Sequence, residues 1–299
     1  MRNRGSASFY HPTVPRSKFT QKPAPRAMED NSVAITKQEL EAIRQKRGFI
    51  CDMDGVIYHG NKLLPGVPEF VDWLKKEKKS FLFLTNSSER APRELQQKLA
   101  RLGLDVGQEH FYTSALSTAA FLKQQNPGGS VYVIGEPGLV GALYEAGFTM
   151  NEINPDYVVL GETRSYSYDR IEHAVKLVRA GAKLVGTNPD LTGPVEGGEI
   201  APACKALMAP IELSTGRNAY YLGKPNPLMM RHGLRMLGVE AEEAAIIGDR
   251  MDTDIVAGTE SGIDTVLVLT GVTTEHEMRK FAYRPKYILE GVCELVQFP

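Results

Sequence analysis

The sequence predicts an α/β protein: a doubly wound, parallel, Rossmann-like core sheet with a smaller α/β unit inserted into it. Three observations carry that prediction. From residue 47 onward, short β-branched or aromatic runs alternate with amphipathic stretches, the pattern of repeated strand–helix units. Several of the runs are apolar throughout, as strands are when helices cover both faces of a parallel sheet. Five of the amphipathic stretches close on glycine, at Leu102-Gly103, Ala146-Gly147, Ala180-Gly181, Leu237-Gly238 and Ser261-Gly262, where a left-handed residue commonly ends a helix.

Taken in order, residues 1–46 form an N-terminal extension. Residues 1–27 hold six Lys or Arg, no acidic residue and scattered Ser, Pro and Gly without apolar periodicity, a composition that predicts disorder. It resembles an organelle transit peptide but lacks an amphipathic stripe, and Met28 is an alternative translation start. Residues 33–46 read as a short charged helix. Strands are expected at 48–52, 80–84, 130–134, 157–160, 183–187, 219–223, 244–248 and 265–269. The helix expected from 89 to 101 puts Leu95, Leu99 and Leu102 on one stripe, which packs it on the sheet. The expected division is a core of residues 47–128 and 219–299 around an inserted unit of residues 129–218, a size suited to a small domain.

Composition narrows the function. At 299 residues and 42% hydrophobic content the chain can bury a sizeable core. Its 35 Lys and Arg balance 36 Asp and Glu, so there is no overall basic field for nucleic acid or an anionic membrane, and any anion must be bound locally. The longest apolar runs, such as Phe81–Leu84 and Thr265–Leu269, are strand-sized and too short to span a bilayer. The three cysteines, Cys51, Cys204 and Cys293, lie far apart, which disfavours a disulfide framework or a zinc site and fits a reducing compartment. The expectation is a cytoplasmic protein, or an organellar one if residues 1–27 are a transit peptide; a homo-oligomer stays open.

Ligands of a doubly wound sheet collect at the carboxyl ends of its strands, so the residues that follow each apolar run are the informative ones. After Phe49-Ile50-Cys51 come Asp52 and Asp54; after Phe81–Leu84 come Thr85 and Asn86; after Tyr220–Gly223 comes Lys224; after Ala245–Gly248 come Asp249, Asp252 and Asp254. This mixture of carboxylates, hydroxyl and ammonium suits a phosphate ester. Mg²⁺ takes hard oxygen ligands and keeps several waters, and Asp52, the Asp54 carbonyl and Asp249 are candidate ligands. Asp52 is placed to attack phosphorus and form an aspartyl phosphate. Asp54, on the loop that Gly55 allows to turn, would protonate the leaving oxygen and then take a proton from the hydrolytic water. Thr85, Lys224 and main-chain N–H groups near Asn86 and Gly55 would meet the charge of the transition state.

In kind and order, Asp52-Met53-Asp54-Gly55-Val56, Leu84-Thr85-Asn86, Gly223-Lys224-Pro225 and Gly248-Asp249-Arg250-Met251-Asp252-Thr253-Asp254 resemble the four motifs of the haloacid dehalogenase superfamily of phosphohydrolases. The resemblance implies the family's roles at Asp52, Asp54, Thr85, Lys224 and Asp249, with Asp254 steering a metal-bound water or Lys224. The wider text, including Tyr112-Thr113-Ser114-Ala115, Gly161–Tyr166, Thr187-Asn188-Pro189-Asp190 and Gly223–Pro227, is similar to the NagD-type branch, which carries an α/β cap between the second and third motifs. That branch implies small phosphomonoester substrates, nucleoside monophosphates or sugar phosphates.

Each residue also has a plainer reading. A lone Asp-x-Asp is common in turns, Thr85-Asn86 can simply start a helix, and Asp252 reads as an acid favoured by a helix N-terminus. Asn188 and Asp190 end an insert strand and are either aimed at the leaving group or part of an ordinary Asn-Pro-Asp turn. Glu162 and Arg164 are weaker candidates at another insert strand end, and His59 is at best a substrate contact. Cys51 alternates away from Asp52 and reads as a buried thiol. The glycines between Gly193 and Gly198 do not spell a nucleotide-binding P-loop. The rivals to a phosphatase are a phosphotransferase using the same aspartyl phosphate and a non-catalytic phosphate-ligand sensor.

Overall fold

The computed structural model describes residues 35–194 and 199–296. The expectations for residues 1–34, including the disordered extension, the transit-peptide likeness and Met28, lie outside the described residues, as do residues 195–198 of the glycine-rich loop. The short charged helix is found at Lys37–Arg44, started by a capping box in which Thr36 and Glu39 satisfy each other's main-chain N–H groups.

In chain order the strands are β1 (Gly48–Cys51), β2 (Tyr58–His59), β3 (Lys62–Leu63), β4 (Ser80–Thr85), β5 (Phe111–Thr113), β6 (Ser130–Ile134), β7 (Thr149–Met150), β8 (Tyr157–Leu160), β9 (Lys183–Gly186), β10 (Thr192–Pro194), β11 (Ile200–Pro202), β12 (Tyr220–Tyr221), β13 (Ala244–Gly248), β14 (Asp264–Val268) and β15 (Tyr287–Leu289). Six of them build the first sheet in the order β15-β14-β13-β1-β4-β5, every pair parallel. The chain runs outward from β1 on one side and resumes at β13 on the other, so the topological switch point lies between β1 and β13. The second sheet, β12-β9-β8-β6-β7, is also parallel throughout, and its strands all fall in the sequence between β5 and β13. Two antiparallel pairs, β2 with β3 and β10 with β11, complete the set.

Both faces of each sheet are buried, which is why the strands read as unbroken apolar runs. On one face of the first sheet Phe49, Phe81, Phe83, Ile247 and Val266 pack with Phe70 and Leu74 of helix Val67–Lys76 and Leu95 and Leu99 of helix Pro92–Arg101. On the other, Ile50, Leu82, Leu84 and Ile246 pack with Met229, Met230 and Leu237 of helix Pro227–Leu237. Each such side chain contributes about 1.5–3 kcal/mol by leaving water. The second sheet repeats the plan, with Val131, Val159 and Val185 on one face and Tyr132, Val158, Leu160 and Leu184 on the other. All five glycine stops carry positive φ, from 67° at Gly238 to 121° at Gly181.

Two segments cross the boundaries expected from sequence. The run expected as a strand at 219–223 shortens to Tyr220–Tyr221 and pairs with β9 of the second sheet, not with the first; its apolar text says strand but does not say which sheet edge accepts it. Helix Ser114–Gln125, expected within the core, turns Ala115, Ala119 and Leu122 into the cluster that covers the second sheet. The three-residue β5, too short to carry a period, was not expected at all.

Candidate active site

The switch point between β1 and β13 collects the charged groups. The Asp52 amide donates to Ile247 O at 2.8 Å, carrying the β1–β13 ladder one residue past Cys51 and presenting the Asp52 side chain at the strand end. Gly55 then turns the chain back with φ of 82°, a left-handed value that only glycine holds without strain, and a Cβ there would lie 2.5 Å from Asp249 Oδ2. The sequence after β13 opens with a π-helical turn, Met251–Ile255. It swings Asp254 back beneath the strand end, where Oδ2 accepts from the Arg250 amide at 3.2 Å.

Lys224 is the hub. Its ammonium donates to Asp52 Oδ1 at 2.5 Å, Asp254 Oδ1 at 2.7 Å and Leu84 O at 3.3 Å, which uses all three of its protons. Lys224 is 2% exposed and Asp254 fully buried. Burial alone would push the lysine down, but Asp254 and Asp52 together hold it above its ordinary value. Asp52 moves the other way: burial raises its carboxyl to about 7 against the pull of Lys224, with Asp254 adding repulsion. Lys224 follows β12, so it reaches the site on the return from the second sheet rather than from the end of a first-sheet strand; its bond to Pro225 is cis.

Three carboxylates, Asp52, Asp249 and Asp254, bring oxygens within 4.8 Å of one another, and one lysine cannot neutralise them. Asp249 shows the surplus. Its Oδ2 accepts from the Val272 amide at 2.7 Å, its Oδ1 is buried without a partner among the described residues, and burial followed by repulsion from Asp52 and Asp254 raises it to about 8. A buried carboxylate oxygen left unsatisfied is costly. Oxygen-rich, over-charged and short of a cation, this donor set fits a divalent hard metal. Gly271 makes room for it: a Cβ there would lie 1.9 Å from Asp249 Oδ2. Asp254, expected to act behind the metal ligands, contributes to this cluster directly, whereas the Asp54 side chain is not part of it.

The Asp54 carboxyl is instead partly exposed, 3.5 Å from His59 Nδ1, and raised by burial against the lowering influence of His59 and Lys98. His59 Nε2 lies 2.6 Å from Thr270 O. A carbonyl only accepts, so the His59 Nε2–H donates to it. Thr85 Oγ1 accepts from the Ser87 amide at 3.1 Å, leaving its hydroxyl proton for a ligand. Cys51 is fully buried in the core cluster with its thiol pushed up by burial, Asp252 pairs with Arg250 at 3.0 Å, and Arg164 is exposed.

Of the two readings of Asn188 and Asp190, the geometry carries the Asn-Pro-Asp turn. Asn188 is fully buried; its amide donates to Glu162 and to Asn86 O at 2.7 Å, and its Oδ1 accepts from the Asp190 amide at 3.1 Å. It has no free donor for a leaving group. Asn86 is engaged to the same degree, donating to Asp190 Oδ2 at 3.1 Å and Lys224 O at 3.0 Å while accepting from the Lys224 amide at 2.7 Å. The side chains of Asn86, Asn188 and Asp190 thus join the two sheets, and burial raises the Asp190 carboxyl. Sequence reading missed Gly271 and Val272, which seat Asp249, and Ser88, which binds Glu162. The Thr270-Gly271 pair, one residue past β14, is the available signal for the first.

Comparison with known proteins agrees with this geometry. The sequence profile of the "Haloacid dehalogenase-like hydrolase" family matches residues 49–149, and a second HAD-hydrolase-like profile matches residues 221–295. The chain belongs to the haloacid dehalogenase-like hydrolases. It is 43% identical over 247 residues to the dihydroxyacetone phosphatase of Corynebacterium glutamicum, covering 83% of this chain and 90% of that one. The ribonucleotide monophosphatase NagD of Escherichia coli is 41% identical over 249 residues, 83% of this chain and 98% of NagD, and the NagD structure superposes with a TM-score of 0.79. The 4-nitrophenylphosphatase structure from Thermotoga maritima is 35% identical with a TM-score of 0.82, covering 86% and 98% of the two chains. Within the family the chain is accordingly a phosphoric monoester hydrolase.

Proposed function

We propose that the protein hydrolyses small phosphomonoesters with Mg²⁺ as its cofactor, carrying the phosphoryl group on Asp52 between two displacement steps. The observation behind this reading is the buried Asp52–Lys224–Asp254 bridge beside an Asp249 oxygen that has no partner.

The Thr85 hydroxyl and the Lys224 ammonium receive the non-bridging oxygens of the ester. Asp52 attacks phosphorus; the bond to the leaving oxygen breaks, its electron pair departs with that oxygen, and Asp54 supplies the proton. In the second step Asp54 takes a proton from water, the water oxygen bonds to phosphorus, and the phosphorus–Asp52 bond breaks to give phosphate and the free carboxylate. Asp52, Asp249 and the Asp54 carbonyl would hold Mg²⁺, which when bound would supply the positive charge that these carboxylates and the phosphoryl oxygens lack. Lys224 keeps Asp52 aimed while the charge on phosphorus redistributes.

Residues 129–218 act as a cap over the core, excluding water. Nucleoside monophosphates and sugar phosphates are the substrate class, in line with the names of the relatives. A cytoplasmic setting fits three cysteines that are all free and the lack, among the described residues, of any helix long and apolar enough to cross a membrane. The test is Mg²⁺-dependent phosphate release from an aryl phosphate followed by a panel of phosphomonoesters, with Asp52→Asn as control. Turnover that needs Mg²⁺ and vanishes in the variant supports the reading. An inactive wild type, full activity in the variant, or phosphate passed to an added alcohol rather than to water overturns it.

A further inference from the structure

We infer that Glu162 is a positioning residue for the reaction: a carboxylate of the inserted unit that sets the place of Lys224 through Asn188 and Asn86. The inference rests on the phosphatase reading and extends it to a residue outside the four motifs.

Glu162 follows β8 and is half-buried, and burial raises its carboxyl against the lowering influence of its hydrogen bonds to Ser88 and Asn188. Both of its oxygens are engaged by donors. Oε2 accepts from the Ser88 amide at 3.2 Å and from the Ser88 hydroxyl, and Oε1 accepts from Asn188 Nδ2. Ser88 belongs to the loop after first-sheet strand β4, whereas Asn188 follows second-sheet strand β9, so one carboxylate clamps both units. From Asn188 the chain of bonds continues to Asn86 O at 2.7 Å, a carbonyl also held by the Ser114 hydroxyl at 2.5 Å. The Asn86 side chain then grips Lys224 at both its carbonyl and its amide. The Lys224 ammonium ends the path on Asp52.

Lys224 depends on this path because no first-sheet strand carries it. The residues before it are tied to the second sheet, with the Leu222 amide donating to Gly186 O at 3.2 Å and the Gly223 amide to Thr187 O at 2.6 Å. A change in how the inserted unit sits on the Ser88 loop therefore displaces the lysine, and small displacements of a charge-stabilising group cost rate more than binding. The hydrogen bonds of Glu162 go to Ser88 and Asn188 and not to Asp52, Asp249 or Asp254; it acts through Asn188 and Asn86.

The test uses the full chain with Mg²⁺ and 4-nitrophenyl phosphate, comparing wild type, Glu162→Ala, Glu162→Gln, Asn188→Ala and the Glu162→Ala/Asn188→Ala double variant, with thermal melts in parallel. Glu162→Ala is expected to lower kcat by about tenfold or more while KM moves by less than about threefold. Glu162→Gln keeps the shape and one accepting oxygen and recovers part of the loss. In the double variant the kcat losses fall short of multiplying, since both substitutions break one path. A kcat within about twofold of wild type in folded Glu162→Ala, a change confined to melting temperature, or losses that multiply in full would overturn the inference. If Glu162→Ala does not fold, Glu162→Gln decides: a kcat equal to wild type overturns the inference, and a kcat lowered with KM held supports it. An inactive wild type overturns the phosphatase reading and this inference together, whereas an active wild type with indifferent Glu162 variants overturns only this one.

Discussion

The two ends of the first sheet hold charge clusters of opposite make-up. At the carboxyl end one lysine, Lys224, lies between two aspartates, Asp52 and Asp254, with Asp249 beside them. At the amino end one aspartate, Asp264, lies between two lysines, Lys46 at 2.7 Å and Lys286 at 2.8 Å. The first group is nearly sealed, its side chains 0–13% exposed; the second keeps 15–53% of each side chain in solvent. Each carries charge beyond what its partners cancel, but water screens the excess at the amino end. At the carboxyl end there is little water to do so, and the excess becomes an unsatisfied oxygen on Asp249. Surplus charge in a buried place is what makes that end fit a divalent cation.

The largest expected effect separates the two ends by activity. Asp52→Asn should cost at least about 10⁴-fold in turnover, as loss of an attacking group does, while the melting temperature holds or rises because one of three crowded carboxylates loses its charge. Steady-state hydrolysis of an aryl phosphate and a thermal melt on the same sample check both halves; a melt that falls by many degrees would mean that the cluster is mainly structural. Lys224→Met comes next. It leaves Asp52 and Asp254 buried against each other with no cation, for which loss of about 3–5 kcal/mol is expected, read by chemical denaturation.

How much of this was legible in the sequence depends on where a residue's partners lie. Asp52, Thr85 and Asp249 each come at the end of an apolar run that is a first-sheet strand, so their gathering at one end of that sheet could be read from chain order. Lys224 was found for a weaker reason: its run, Tyr220–Tyr221, is a strand, but of the other sheet. Asn188 and Asp190 were legible as strand-end residues and not as groups already engaged, because their partners Asn86 and Glu162 lie 102 and 26 positions from Asn188 and hydrogen bonding over such separations leaves no local pattern. The same holds for Gly271, whose purpose appears only when Asp249, 22 residues earlier in the chain, is placed against it.

Removing the metal should sharpen the comparison through pH. Burial, with repulsion from Asp254 and against the pull of Lys224, raises Asp52 to about 7, and burial with repulsion from Asp52 and Asp254 raises Asp249 to about 8, each from an ordinary 3.8. Between those values the folded protein holds protons that the unfolded chain has released, so the stability of the metal-free protein falls as pH rises through this window. A bound divalent cation removes the preference for protons and adds stability of its own. The gap in melting temperature between Mg²⁺-loaded and chelator-treated protein should therefore widen from pH 6 to pH 8.5. An equal gap at both values would break the link between the surplus charge and the metal.

The smallest effect belongs to the amino end. Burial alone would raise the Asp264 carboxyl, but Lys286 and Lys46 outweigh it and hold the group below its ordinary value. A carboxyl depressed in the folded state stabilises above its unfolded pKa, and that contribution disappears as pH falls through the folded value, here below about 3.8. Because Lys286 is more than half exposed, solvent screens much of the pairing, and Asp264→Asn should cost under about 1 kcal/mol at neutral pH, with kcat and KM unchanged. Denaturant titration at pH 7 and pH 3.5 reads both points: the small deficit of the variant should shrink in acid. A deficit above about 2 kcal/mol at pH 7 would place this cluster with the sealed one, well beyond what screened surface pairs contribute, and would make burial rather than surplus charge the feature the two ends share.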